Sequence, residues 1–116
     1  MGTSPSKNDG EYAAVVPLNG TSTGTRLALT TASAALTAGR LVVGAKYKVA
    51  LDPASSGVAW VDLTGGTAVA PASDAAQAAG FWLLPGEVEI VLASVNKLSG
   101  IMLAGTGTLL ITRLIV

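Results

Sequence analysis

From Leu41 onward apolar and polar residues follow a period of two, the spacing of half-buried β-strands. Tyr47, Val49 and Leu51 alternate with Lys46, Lys48 and Ala50. The loop chemistry of Asp52-Pro53-Ala54-Ser55-Ser56-Gly57 ends that strand. Val58–Leu63 is the next, with Ala59, Val61 and Leu63 opposite Val58, Trp60 and Asp62, and Gly65-Gly66 breaks it. Thr67–Ala70 has the pattern of a further short strand, and Pro71–Ala79 that of a loop of small residues with one helical turn begun at Ser73 or Asp74.

The stretch Gly80–Leu92 predicts two strands around Pro85-Gly86, where proline presets the first central φ of a type II turn and glycine accepts the positive second one. The arm before the turn, Phe81-Trp82-Leu83-Leu84, is apolar on both faces, and core packing is the expectation for Trp82. In the arm after it, Val88, Ile90 and Leu92 share a face opposite Glu87 and Glu89, so that face is expected to be the buried one. If the Lys46/Lys48 and Glu87/Glu89 strands are neighbours, cross-strand ion pairs follow. Leu98–Ala104 and Thr108–Ile115 are expected to form a hairpin across Gly105-Thr106-Gly107, with Gly100 marking a bulge. About eight short strands with glycine-rich turns make an all-β sandwich or barrel.

The first third is different. Residues 1–25 are rich in Gly, Ser, Thr and Asn around one apolar island, Tyr12-Ala13-Ala14-Val15-Val16-Pro17-Leu18, and form no core of their own. They are expected to be an extended arm anchored by Tyr12, Val15, Val16 and Leu18 on a neighbouring subunit; the alternative is a tail folded over its own domain. Residues 26–116 then form the sandwich domain. Arg26–Leu29 is a short strand with Leu27 and Leu29 on one face, and Thr30–Gly39 a connector.

Half of the 116 residues are hydrophobic, 12% are charged, and the net charge is zero. That size is one domain. Residues 1–40 carry three basic and two acidic residues and residues 41–116 four and five, so neither half is a basic patch, and no nucleic-acid partner is expected. A surface this weakly charged suits a protein held in an assembly. Without cysteine there are no disulfides. The polar first ten residues have no signal-peptide character. The most apolar run, Ile101–Val116, holds two glycines, three threonines and Arg113 and falls short of the roughly 20 residues of a membrane span.

The chain has no histidine, which together with the absent cysteine removes triads, Cys-His dyads and the usual zinc sites. Glu87 and Glu89, two apart on one strand, are a solvated face rather than a glycosidase pair, whose members flank the substrate from separate elements. Gly105-Thr106-Gly107 lacks the helix and lysine of a phosphate loop, and Asp52–Asp62 lacks calcium-loop spacing. No cofactor, metal or enzymatic activity is expected. Trp60 shares a face with Asp62 and is expected at an interface or core rim, with a sugar-stacking platform as the alternative. The last strand is apolar on both faces: Leu110, Thr112, Leu114 and Val116 on one, Leu109, Ile111, Arg113 and Ile115 on the other. A partner covering Leu110, Leu114 and Val116 is one reading, and cover by the domain's own loops the other.

In order the chain has Gly44-x-x-Tyr47-x-Val49, Val58-x-Trp60-Val61, Gly80-Phe81-x-Leu83-Leu84-Pro85-Gly86-x-Val88-Glu89 and Leu109-x-Ile111-Thr112-Arg113-Leu114. Over about residues 40–116 this resembles the small β-sandwich proteins of tailed-bacteriophage structural modules, including capsid decoration (cement) proteins. The resemblance implies a jelly-roll-like sandwich, a homotrimer, seated on the outer capsid of the virion where major capsid proteins meet. The alternative is a phage fibre or carbohydrate-binding module using Trp60.

Overall fold

The computed structural model describes residues 24–72, Asp74 and residues 79–114. Among these there is no helix, and eight strands form two four-stranded antiparallel sheets. The strands are β1 (Gly24–Leu29), β2 (Ala34–Ala35), β3 (Lys46–Leu51), β4 (Ala59–Asp62), β5 (Gly80–Leu83), β6 (Val88–Leu92), β7 (Ser99–Met102) and β8 (Gly107–Leu114). The first sheet has the order β1-β8-β3-β6 and the second β2-β7-β4-β5. The all-β sandwich expected from the alternation is the fold found. β1 begins two residues before the expected start of the domain at residue 26, so Gly24 and Thr25 of the expected arm 1–25 belong to it, and residues 1–23 lie outside the described residues.

Successive strands switch sheets at every connection but one, from β4 to β5. The first strand pairs with the eighth, the second with the seventh, the third with the sixth and the fourth with the fifth. Two further ladders, β3–β8 and β4–β7, complete the sheets. The chain therefore runs as one long antiparallel ribbon folded over on itself.

That path corrects both expected hairpins. At Leu84–Glu87 the turn chemistry is as read: Gly86 has φ 86°, and the Glu87 amide donates to the Leu84 carbonyl at 2.9 Å. Yet β5 pairs with β4 and β6 with β3, in different sheets. Type I and II turns splay the strands they join, whereas tight hairpins use the primed types. The Pro-Gly turn is thus suited to carry the chain from one layer to the other. β7 and β8 likewise sit in different sheets on either side of the glycine turn.

The core lies between the sheets. Leu29, Val49, Leu51, Leu109 and Ile111 from the first sheet face Val61, Leu83 and Met102 from the second, and each is almost wholly buried. Burying a side chain of this size contributes about 1.5–3 kcal/mol. Gly100 keeps regular register with Val61 and Ala34, so it is not a bulge. A Cβ there would stand 3.0 Å from Leu29 Cδ2 and 3.3 Å from Leu109 Cδ1, so the glycine makes room for two core leucines. Thr67–Ala70 forms no strand, while β2 appears inside the expected connector 30–39. The helical turn expected around Ser73 falls largely outside the described residues.

At one end of the sandwich the segment 36–45 closes over the core. Leu41 is buried, its amide and that of Gly39 both donate to the Asn96 carbonyl, and the Val42 amide donates to the Tyr47 hydroxyl at 2.8 Å. At the other end the 52–57 loop is bonded to the β7–β8 turn. The Ser56 and Thr106 backbones are joined by an amide-to-carbonyl bond, and Ser56 Oγ accepts from the Thr106 amide. These contacts leave the two outer faces as the surfaces that differ.

Candidate interaction face

The outer face of the second sheet is covered in part by the chain itself. It carries Trp60, Asp62, Trp82, Ile101 and Ser99, the residues that alternate with the core positions of β4, β5 and β7. Asp62 Oδ1 accepts from the Thr64 amide at 2.7 Å and from the Thr64 hydroxyl, turning the chain back at once after β4. The Ser99 hydroxyl then donates to the Gly66 carbonyl at 2.6 Å, and the Ser33 hydroxyl accepts from the Ala68 amide at 2.8 Å. Residues 64–68 of the β4–β5 connection are so tied to this face, where Asp62, Ser99 and Ala68 are buried.

The two tryptophans exchange the roles expected of them. Trp60 is 5% exposed and Trp82 40%. They are cross-strand partners, stacked edge to face with centroids 5.1 Å apart and planes at 65°. β5 is the sheet edge, so its outward tryptophan lies open, while Trp60, one strand in, is enclosed. Gly80 permits this: a Cβ there would meet the Val61 carbonyl oxygen and, at 2.7 Å, Cζ2 of Trp60. The buried Trp60 Nε1 has no hydrogen-bond partner among the described residues. An interface or sugar platform built on Trp60 is therefore inaccessible in this chain.

The outer face of the first sheet is the opposite case. On β6 the exposed apolar positions are Val88, Ile90 and Leu92, at 49%, 36% and 64%, and Val91 is the residue buried against Tyr47. The sequence expectation that 88, 90 and 92 form the buried row is overturned. Both parities of Val-Glu-Ile-Val-Leu contain an apolar residue, and the register with β3 selects Val91 for the core. Glu89 points to the core side beside Val49 but stays exposed at the rim, as inward charges on edge strands often do to discourage edge-to-edge pairing.

The same register removes the expected ion pairs. β3 and β6 are neighbours, but Lys48 stands opposite Ile90 and Lys46 opposite Leu92, on the face away from Glu89. Glu87 instead holds the turn, its Oε1 accepting from the Leu84 amide at 2.8 Å.

Leu110 and Leu114 share this outer face through their pairing with Ala50 and Lys46. Leu110 is half-buried and Leu114 buried, so exposure rises across the sheet from β8 to β6. Of the expected interface residues, Leu110 and Leu114 are thus brought together and Trp60 is on the opposite side of the sandwich. Tyr12, Val15, Val16, Leu18 and Val116 lie outside the described residues.

The row Val88, Ile90 and Leu92 was missed by sequence reading, although the type II turn before it carried a signal that β6 leaves its neighbour. Among the described strand residues, the charged groups of the face are Arg26 on β1 and Lys46 and Lys48 on β3. Among the described residues the face presents an apolar strip beside two lysines. The chain matches no protein-family model, no curated protein and no solved structure.

Proposed function

We propose that this is a structural virion protein, a capsid decoration or cement protein that binds the outer surface of a phage capsid and stabilises contacts between major capsid protein subunits. The observation that carries the reading is the bare apolar row on β6, set on a sandwich that ties its own loop over part of its other outer face. Contiguous exposed apolar surface on a small domain marks a place for a partner. Burying it across a subunit boundary holds subunits together without any reaction, because whatever binds only the assembled state stabilises that state.

The finer fold fits the same proposal. The pairing of strand 1 with 8, 2 with 7, 3 with 6 and 4 with 5 supports a jelly roll, an architecture used in viral capsid domains. We read residues 1–23 as the extended arm and the working unit as a homotrimer, with neither nucleic acid nor membrane as partner.

Mixing purified protein with undecorated capsids and pelleting them tests the reading. Saturable co-sedimentation that raises the temperature of capsid disruption is the expected result. No co-sedimentation at any protein concentration reached would sink it. Light scattering on the free protein checks the trimer.

A further inference from the structure

The occupant of the bare row is identified by its chemistry. The outer face of the first sheet has an apolar strip at Val88, Ile90 and Leu92, and immediately beside it Lys48 opposite Ile90 and Lys46 opposite Leu92. A cover for it needs apolar side chains next to carboxylates. Two copies of this same face cannot supply that, since each would bring its lysines and Arg26 against the other's.

One segment of the chain has the required pattern. Asp9 and Glu11 directly precede the apolar island of Tyr12, Val15, Val16 and Leu18. Five residues, Asn19-Gly20-Thr21-Ser22-Thr23, link that island to Gly24, where β1 begins. Gly24 stands in the cross-sheet row Gly24, Thr112, Lys48, Ile90, so the chain enters the same sheet three strands away from the bare row. At the usual strand spacing that is about 14 Å.

We infer that the outer face of β3 and β6 is the seat for residues 9–18 of a second copy of this chain, with Asp9 and Glu11 against Lys46 and Lys48 and the apolar island over Val88, Ile90 and Leu92. The inference rests on the assembly reading above and names the partner surface within it. Among the described residues no side chain covers the row, and in the assembly read above its cover comes from a neighbouring copy. Pro17 suits a segment laid along an edge strand, since it has no amide to leave unpaired and keeps the chain extended.

The absence of native cysteine makes the test clean. Full-length Val16→Cys and Ile90→Cys proteins are mixed and oxidised, alongside Val16→Cys with Leu103→Cys, an exposed position on the loop after β7. Thermal unfolding of each variant first establishes that it folds. The expected result is a disulfide-linked heterodimer with Ile90→Cys well above the Leu103→Cys level. Reversing Lys46 and Lys48 to glutamate should lower the yield at limiting protein, reflecting roughly tenfold weaker association, and high salt should act the same way.

Equal cross-linking to Leu103→Cys overturns the inference, as does no cross-linking at all. So does a doubly substituted chain that closes on itself while the mixture stays monomeric, which would make the cover the chain's own arm. No capsid enters this experiment. Cross-linking that succeeds while capsid co-sedimentation fails therefore sinks the capsid reading alone.

Discussion

The two outer faces of this sandwich both carry large apolar residues but differ in how much of them is covered. On the second sheet, Trp60, Asp62 and Ser99 are buried, and residues 64–68 are tied to the sheet through Asp62, Ser99 and Ser33. On the first sheet, Val88, Ile90 and Leu92 alternate just as regularly but remain open on an edge strand. The lesson is that apolar alternation in a strand reports that a face will be covered, not by what. A face with a hydrogen-bonded strap belongs to the fold. A face without one is available to a partner.

If that distinction is right, substitutions on the two faces fall into different classes. The largest effect is expected at Trp60, where Trp60→Ala empties an enclosed site and should cost about 3–5 kcal/mol in urea unfolding. Trp60→Phe should cost far less, because the side-chain N–H it removes has no partner among the described residues. A mild Trp60→Ala would mean that the ring is less enclosed than its 5% exposure implies.

Next is Gly80→Ala, which puts a methyl group against the Val61 carbonyl and the Trp60 ring. Overpacking against backbone should cost about 3 kcal/mol, and Trp60 fluorescence should shift as the ring is displaced. An unchanged melting curve would show that the β4–β5 pairing has more slack than the geometry allows.

Ser99→Ala removes the hydroxyl that donates to Gly66. It should cost about 1 kcal/mol and accelerate amide exchange or proteolysis over residues 64–68, without loosening the first sheet. Uniform loosening of both sheets would show that the strap is not an independent unit.

The smallest effect on stability is expected on the bare face. Leu92→Ser, at a position 64% exposed, should change unfolding free energy by no more than about 0.5 kcal/mol. It should nevertheless weaken self-association and capsid co-sedimentation. A loss of stability like that of Trp60→Ala would abolish the contrast between the faces.

Much of the fold was legible beforehand. The Tyr47, Val49, Leu51 row, the 52–57 loop, the Leu27 and Leu29 face and the turn at Pro85-Gly86 are where the pattern put them. The misreadings have separate causes. Treating strands adjacent in sequence as hairpins placed β5 beside β6 and β7 beside β8, while the alternation with Glu87 and Glu89 made Val88, Ile90 and Leu92 look buried. Trp60 and Trp82 were exchanged because nothing local tells which is on the edge strand. Within Val88–Leu92 both parities have an apolar member, so the sequence alone left the choice of face open.

Alone, then, the sequence determined the all-β class, the positions of most strands, the turn geometry at Gly86 and the absence of cysteine and histidine chemistry. These follow from side-chain period and backbone stereochemistry, which act over a few residues. Tertiary structure decided which strand pairs with which, and therefore that Val91 rather than Ile90 enters the core, that Trp60 is enclosed, and that the lysines of β3 lie beside an apolar row instead of beside Glu89. Those outcomes depend on partners far apart in the chain, because a strand's two faces become inside and outside only when the register with its neighbour is set.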